Sequence, residues 1–286
     1  MTDSEHIAQI RSQRPTDLYR DHVSGITEQE FRARCGAQNI WHSVDLGDLF
    51  IEGARKTSEI LARENRSLNL PDLSGKTVLD VGAFGGWFSF EAERRGADVT
   101  AIDYYSWIFD WPKLMDWVRK ERAEGREPDP YDPPADCVNV DACPGRLVLD
   151  TTKEILGSRV KTITTTLENF QSDPFDVVLY LGVLYHVENP MESLRKIASL
   201  TKGDLIIETL GRYVPGLEDC SHWEYYGGAE MRDDSTTWWA PNAKGLEDML
   251  TAVGFKDVRV NAVTDHLTND QRKRPQAIRV WAHASK

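Results

Sequence analysis

The segment 77–103, TVLDVGAFGGWFSFEAERRGADVTAID, combines a glycine-rich turn with an acid about 20 residues further on. Gly82, Gly85 and Gly86 form the turn. Glycines let a ligand approach the backbone without meeting a Cβ atom, and the first N–H groups of the following helix are unpaired. Asp103 ends the next apolar run, where a carboxylate can accept hydrogen bonds from ribose hydroxyls. This order of residues predicts a site for an adenosine-type ligand.

Polar side chains near the ends of two later strands could take part in chemistry. Tyr185 and His186 follow the apolar run 175–181, and ligands of parallel sheets bind at the carboxyl ends of the strands. Glu208 is expected at the end of a strand over 204–209. His186 could act on an acceptor or fix its own loop by bonding the backbone, and Glu208 could take a proton or bind a substrate hydroxyl. The catalytic candidates are Tyr185, His186 and Glu208.

An aromatic segment near residues 211–242 is predicted as a loop beside these candidates, and the cluster WHSVDLG at 41–47 precedes a helix expected over 56–66. Single rings are more often core than substrate contacts, but many together can hold an apolar acceptor or face a cation. His222 and Glu224 have no recognised ligand spacing, so no metal is predicted. The predicted substrate contacts are Trp41, His42, His222, Trp223, Tyr226, Trp238 and Trp239.

Apolar periodicity places these residues on alternating strands and helices. Residues 1–66 predict a helical cap and lid segment, and residues 67–286 the ligand-binding domain. Within that domain a helix is expected over 146–156 and a third strand over 160–164. A proline-rich insertion is predicted near 107–136, and the prolines of its stretch 126–136 are expected to prevent regular structure there.

The second half of the chain continues this alternation. Asn189, Pro190 and Glu192 have the types and spacing of a capped helix start. Two alternating strands, 258–263 and 277–282, finish the chain. The pattern predicts an α/β fold: a Rossmann-like seven-stranded sheet with helices on both faces, an antiparallel C-terminal hairpin and a helical N-terminal cap.

Composition limits the partners of the chain. Its 286 residues carry a formal charge of −12, which disfavours nucleic acid and favours a small-molecule acceptor. The four cysteines show no CxxC spacing, the N-terminus does not resemble a signal peptide, and the longest apolar run, 177–187, is too short to span a bilayer. We expect a reduced, cytoplasmic protein without a membrane partner; a homo-oligomer is compatible with the sequence.

Five separated segments carry a family resemblance: WHSVDLG at 41–47, LDVGAFGGWFSFEAERRGA at 79–97, LGVLYHVENP at 181–190, IIETL at 206–210 and WWAPNAKGLEDMLTAVGF at 238–255. From about Trp41 onward the chain resembles class I S-adenosylmethionine (SAM) methyltransferases, in the group related to the tRNA wobble-uridine carboxymethyl-transferring enzymes. The first motif of that family usually runs acid-x-Gly-x-Gly-x-Gly. Gly82 and Gly86 match two of its glycines, and Phe84 replaces the middle one.

The resemblance implies SAM as the methyl donor and a seven-stranded methyltransferase sheet. A dinucleotide site or a plain strand-to-helix turn is the other interpretation of the glycine segment, but the dinucleotide pattern GxGxxG is absent. The turn around Leu167 stands where the adenine of such a ligand would lie. The residues predicted to bind the cofactor are Asp80, Gly82, Phe84, Gly86, Asp103, Tyr104, Leu167 and Gly182.

The chain departs from the tRNA enzymes where, in that group, basic side chains hold carboxy-SAM. Val187 follows the LYH tripeptide, Ala277 lies near the start of the final strand, and 41–53 contains no lysine. An unpaired donor carboxylate would be costly in a closed site. We therefore predict a SAM-dependent methyltransferase of small-molecule biosynthesis with an apolar or ring-bearing acceptor. The alternatives are a tRNA wobble-uridine methyl or carboxymethyl transferase and a non-catalytic SAM-binding protein.

Overall fold

The structure is a computed structural model that describes residues 1–36, 40–139, 143–226 and 236–286. Within these residues the helices are α1 (Asp3–Ser12), α2 (Glu28–Arg34), α3 (Ser58–Leu68), α4 (Trp87–Arg94), α5 (Tyr105–Ile108), α6 (Trp111–Ala123), α7 (Pro144–Leu156), α8 (Pro190–Leu200) and α9 (Ala243–Ala252). The strands are β1 (Val44–Asp45), β2 (Phe50–Ile51), β3 (Thr77–Val81), β4 (Asp98–Asp103), β5 (Lys161–Thr164), β6 (Phe175–Leu181), β7 (Thr201–Tyr213), β8 (Trp223–Tyr225), β9 (Trp239–Pro241), β10 (Asp257–Val263) and β11 (Gln276–Ser285).

The chain divides into two compact units. The first consists of Met1–Lys113 and Pro134–Thr166, and the second of Leu114–Pro133 and Leu167–Lys286. The separate roles predicted for residues 1–66 and 67–286 stay a prediction. No helix of the described residues is long and apolar enough to cross a membrane.

The first unit contains three parallel strands in the order β3, β4, β5. Val78, Leu79 and Val81 are buried in β3, and the helix α4 that follows buries Phe90 and Ala92. Apolar side chains on both faces of β3 are typical of a parallel strand that is covered on both sides. The unit therefore brings the carboxyl ends of β3 and β4 side by side, at the glycine turn and Asp103.

Buried ion pairs attach the N-terminal segment to α4 within the first unit. The side chain of Arg14 is fully buried and pairs with Asp45 at 2.9 Å and with Glu91. Arg94 of α4 donates to Asp17 at 2.8 Å. A buried charge is tolerated only where it is paired, so these contacts fix the path of the chain from α1 to β1.

The second unit contributes four strands to the large sheet in the order β6, β7, β11, β10, with β6 parallel to β7 and the other pairs antiparallel. In all the sheet has seven strands, and the predicted α/β class with an antiparallel C-terminal hairpin is confirmed. The strand expected over 204–209 is longer than predicted, because Gly211 continues the pairing of β7 with β11. A Cβ at Gly211 would lie 2.2 Å from Val280 Cγ2, so the glycine serves a close approach rather than a turn.

The insertion predicted near 107–136 contains α6 (Trp111–Ala123), and its proline-rich part is irregular over 124–134. Two other expectations need correction. The aromatic segment near 211–242 is not wholly a loop, since β8 and β9 pair as an antiparallel ribbon; residues 227–235 lie outside the described residues. Asn189 precedes α8, but its side chain makes no capping hydrogen bond there.

Candidate active site

The glycine turn occupies the first unit between β3 and α4. Gly82 and Gly86 have φ angles of 75° and 82°, which L-residues rarely adopt. A Cβ at Gly86 would also lie 2.8 Å from the ring of Phe90 and 3.1 Å from Leu149. Conformation and packing thus both require glycine at the N-cap of α4. No side chain caps this helix, so its first N–H groups face the turn without a side-chain acceptor.

Phe84, the unusual residue of the turn, has φ 50°, a left-handed conformation that is uncommon outside glycine. Its N–H donates to Asp103 at 3.0 Å, and its carbonyl accepts from the indole of Trp107 at 2.7 Å. Its ring contacts those of Trp41 and His42, with centroids 6.1 and 5.8 Å away. Phe84 therefore joins the turn to β4, to α5 and to the predicted lid segment.

Asp103 ends β4 and is 7% exposed. Besides the Phe84 N–H, it accepts from the backbone N–H of Ser106 at 3.1 Å and from its hydroxyl at 2.6 Å. Burial raises the pKa of this carboxyl, although these hydrogen bonds oppose the shift. The backbone N–H of Tyr104 is a further donor to this carboxylate. Tyr104, the next residue, is half-buried with its ring edge-on to Tyr105 and Phe109.

Asp80 lies inside β3, below the turn. Its carboxylate accepts a hydrogen bond of 2.5 Å from the hydroxyl of Ser89 in α4. Burial, and secondarily the charge of Asp103, raises the pKa of Asp80 to about 7. The contact links the strand to the helix, and the buried position of Asp80 favours a supporting role beneath the glycines.

His42 stands between the rings of Phe84 and Phe88, 5.8 and 6.1 Å from them. Burial, aided by the charge of Lys56, lowers the pKa of His42 to about 3, so the imidazole is neutral at physiological pH. Its buried Nδ1 has no hydrogen-bond partner among the described residues. The neighbouring Trp41 is 48% exposed, and the Arg55 guanidinium lies 5.9 Å from its ring centroid. An unsatisfied buried nitrogen beside the turn is a feature that a polar ligand group would complete.

The second unit carries Tyr185 and His186 in a 3₁₀ turn after β6. Nδ1 of His186 lies 3.0 Å from the carbonyl oxygen of Thr236 and 2.8 Å from its hydroxyl. A bond to the carbonyl, which can only accept, goes with a proton on Nδ1 and the lone pair of the neutral ring on Nε2, whereas the hydroxyl can also donate to an unprotonated Nδ1. The hydroxyl of Tyr131 donates to the His186 carbonyl. The histidine is thus bonded to the backbone, as one interpretation anticipated, in an arrangement that also suits a proton acceptor.

Glu208 lies in the middle of β7 instead of at its end, opposite Leu181 of β6 and Trp281 of β11. Its carboxylate, 4% exposed, forms a forked ion pair with Arg279 of β11, in which Nη2 and Oε2 are 2.5 Å apart. Burial alone would lower the pKa of Arg279, but the charge of Glu208 outweighs burial and raises this pKa. Both oxygens of the carboxylate are engaged by the guanidinium. Glu208 therefore fits substrate binding or support better than proton transfer.

The predicted aromatic contacts fall into two groups within the second unit. Tyr226 is buried in an apolar cluster against which Tyr185 packs, and the Trp238 N–H donates to the Tyr185 carbonyl at 2.8 Å. His222 and Trp223 instead border the start of α9, where a Cβ at Gly245 would lie 2.7 Å from the Trp223 indole nitrogen. These two positions are typical of packing residues.

The remaining predicted positions also lie in the second unit. Trp239 donates its indole N–H to the carbonyl of Glu188 at 3.0 Å. Gly182 follows β6 with φ 74°, and its N–H donates to the carbonyl of Glu208 at 2.9 Å. Leu167 is a buried residue near the start of the unit.

Four residues that bond predicted site residues were not predicted from the sequence. Trp107, Tyr131, Thr236 and Arg279 each bond a predicted site residue. Arg279 had a readable signal, since it lies two positions after Ala277 and so on the same face of β11. Tyr131 and Thr236 carried none, because their partner His186 is 55 and 50 residues away in the chain.

The seven-stranded sheet and the glycine turn are those expected of a methyltransferase, and comparison with known families gives the same class. The family described as "Methyltransferase domain" matches residues 54–260, so the chain belongs to this methyltransferase family. The prediction of a class I SAM-dependent methyltransferase is confirmed at the level of family and fold.

Curated relatives are named tRNA U34 carboxymethyltransferase. The relative from Marinobacter nauticus is 27% identical over 208 residues, which are 72% of this chain and 51% of that protein. The relative from Idiomarina loihiensis is 36% identical over 104 residues, 35% of this chain and 30% of that protein. The chain thus spans about half the length, or less, of the curated relatives it matches.

Solved structures share the fold. The N-terminal domain of EvdMO1 with S-adenosylhomocysteine (SAH) bound gives a TM-score of 0.54 at 14% identity, over 91% of this chain and 97% of that one. Phosphoethanolamine N-methyltransferase 2 of Haemonchus contortus, in complex with SAM, gives 0.52 at 13% identity, over 91% and 57%. At these identities the likeness concerns the fold alone.

Proposed function

We propose that the chain transfers a methyl group from SAM to a small, uncharged, ring-bearing acceptor. The observation that carries the proposal is the Nδ1 contact of His186 with the Thr236 carbonyl: in the proposed tautomer Nδ1 donates to this carbonyl, and the lone pair of the neutral ring is on Nε2. Tyr185 and the Trp238 backbone join the same cluster through the 2.8 Å bond between them. Such surroundings suit an acceptor that has an apolar ring and one O–H or N–H group.

The residues of the glycine turn fit SAM as the donor. Gly82 and Gly86 keep side chains away from the turn, and the carboxylate of Asp103 stands at the strand tip where a ribose hydroxyl is bound in such sheets. The unpartnered Nδ1 of His42 offers a further polar contact beside Phe84. Tyr104, Leu167 and Gly182 are proposed as cofactor-binding residues on the family resemblance, and Asp80 as the support below the turn.

Methyl transfer from a sulfonium is an in-line displacement in which the donor supplies an activated methyl group. The carbon–sulfur bond breaks as the bond from carbon to the acceptor oxygen or nitrogen forms, which leaves SAH and a proton. His186 Nε2 takes that proton, while Thr236 keeps the ring in orientation through Nδ1. Tyr185 and Trp238 position the acceptor, because alignment supplies most of the rate in such a reaction.

One lysine and one arginine near the proposed site residues help to choose between SAM and carboxy-SAM as the donor. Lys56, next to the His42 segment, pairs with Glu64. Arg279, near Tyr185, pairs with Glu208. Because both cations already have a carboxylate partner, a second carboxylate on the donor would gain little from them. This supports plain SAM.

A tRNA acceptor is the second candidate, and the names of the curated relatives favour it. Against it stands the net charge of −12, since affinity for nucleic acid depends largely on basic side chains that displace counterions from phosphates. A non-catalytic SAM-binding protein is the third candidate. The three candidates differ in whether a small molecule, a tRNA or no acceptor receives the methyl group.

A label-transfer assay separates the candidates. The purified chain is incubated with methyl-labelled SAM and, separately, with unmodified tRNA and with a panel of phenols, aromatic amines and hydroxylated rings. We expect label in a ring-bearing small molecule, at a rate that falls at least about 100-fold in His186→Gln, within the usual range for losing a general base. His266→Gln, which alters a histidine that is 54% exposed, is the control and should keep the full rate. Label in tRNA alone would contradict the proposal.

A further inference from the structure

The irregular part of the insertion carries a side chain that reaches the turn of His186. The hydroxyl of Tyr131 donates to the carbonyl of His186, and the indole N–H of Trp238 donates to the Tyr131 oxygen at 3.2 Å. The directions are fixed by chemistry, because a carbonyl can only accept and an indole N–H can only donate. One phenol thus connects the backbone of a catalytic candidate with a ring of the acceptor cluster.

The backbone around Tyr131 is ordered by its own turn. The N–H of Tyr131 donates to the side chain of Asp129 at 2.8 Å, and the N–H of Asp132 donates to the Asp129 carbonyl at 3.2 Å. Pro130, which is buried, occupies the second position, where its fixed φ suits such a turn. The hydroxyl is therefore presented from a pre-formed loop, at little further entropic cost.

His186 is held from two sides by this arrangement. Tyr131 bonds its carbonyl, and Thr236 bonds Nδ1 of its ring. Both contacts restrict the turn on which the ring stands, so the direction of Nε2 is set by residues about 50 positions away on either side. A histidine that must accept a proton from a bound acceptor needs such a fixed direction.

We propose that Tyr131 is a positioning residue for His186 and that the loop 124–134 thereby forms part of the acceptor site. The inference rests on the proposed role of His186. It also refines the acceptor class. Tyr131 accepts the indole N–H of Trp238, and the Glu188 carbonyl accepts that of Trp239. Both indole N–H groups are therefore occupied, so these rings can contact an acceptor only through their carbon surfaces, which favours an acceptor with an aromatic or other apolar ring.

The test follows the His186 ring by nitrogen NMR in the full chain saturated with SAH, with Tyr131→Phe as the variant. His186→Gln identifies the signals of this ring among the seven histidines. We expect wild-type His186 to carry its neutral-state proton on Nδ1. In Tyr131→Phe the ratio of Nδ1-protonated to Nε2-protonated forms should fall at least about twofold, in line with the loss of one modest hydrogen bond. Asp129→Ala, which loosens the turn but keeps the phenol, should move the ratio in the same direction.

Tyr225→Phe is the matched control. It removes the hydroxyl of an exposed tyrosine whose ring stacks on Trp238, and should leave the ratio unchanged. An unchanged ratio in Tyr131→Phe would overturn the positioning role. SAH affinity, measured on the same samples, reports on folding and on the donor site. If no sample binds SAH, the proposed function fails, whereas the NMR comparison of the ligand-free proteins still decides the role of Tyr131.

Discussion

The backbone N–H of Phe84 donates to the carboxylate of Asp103 at 3.0 Å, so the glycine turn is bonded directly to the acid at the tip of the neighbouring strand. Ser106 donates to the same carboxylate twice. The acid thus shapes the turn, and in the proposed donor site it also binds a ribose hydroxyl. Its loss should affect both the stability of the chain and the binding of the donor.

Asp103→Ala should lower the free energy of unfolding by about 3 kcal/mol, because it leaves two buried N–H groups and a hydroxyl without their acceptor. Asp98→Ala is the control at the exposed start of the same strand, where the Lys161 pair is more than half exposed on both sides. That change should stay within about 0.5 kcal/mol. Denaturant unfolding of both variants makes the comparison, and equal losses would contradict the role given to Asp103.

Phe84→Gly should be more stable than Phe84→Ala by about 1–2 kcal/mol, since φ 50° costs an alanine that much and costs glycine nothing. Both variants lose the ring contacts with Trp41 and His42 equally. The usual order of these two substitutions in a folded chain is the reverse. Thermal unfolding of the pair measures the difference. An alanine variant as stable as the glycine variant would show that the left-handed conformation of residue 84 is not populated.

Arg279→Met should lower the free energy of unfolding by about 3 kcal/mol, because it leaves the 4% exposed Glu208 carboxylate without its partner. The double variant Arg279→Met with Glu208→Leu should recover most of that loss, since an apolar pair of similar volume replaces the ion pair. Chemical unfolding of the two variants decides this. A double variant that is no more stable than Arg279→Met would mean that the pair is not coupled.

Asp80 gives a pH dependence of defined sign. Burial raises its pKa in the folded chain from 3.8 to about 7, so the folded state holds the proton more tightly than the unfolded state does. The resulting stabilisation is complete below about pH 3.8 and is lost as the pH rises towards 7. The free energy of unfolding of wild type relative to Asp80→Asn should therefore fall between pH 4 and pH 7. A difference that rises over this range would contradict the assigned pKa.

The elements that could be predicted are those whose signal is local in the chain. The glycine turn, α4 and Asp103 lie within one short stretch, and their residue types report their conformation directly. The Glu208–Arg279 pair could not be predicted, because its partners are 71 residues apart and meet only through the register of β7 and β11. The full length of β7 could not be predicted for a related reason: Gly211 lies within the strand, where Val280 of β11 approaches it closely.

The donor site is the central claim, and a calorimetric titration of the full chain with SAM, SAH and carboxy-SAM tests it most directly. SAM and SAH should bind the wild type, carboxy-SAM should bind more weakly, and Asp103→Ala should lose at least about tenfold in affinity for SAM, in line with the loss of a charged hydrogen-bond acceptor. No binding of any of the three, or the tightest binding by carboxy-SAM, would contradict this account.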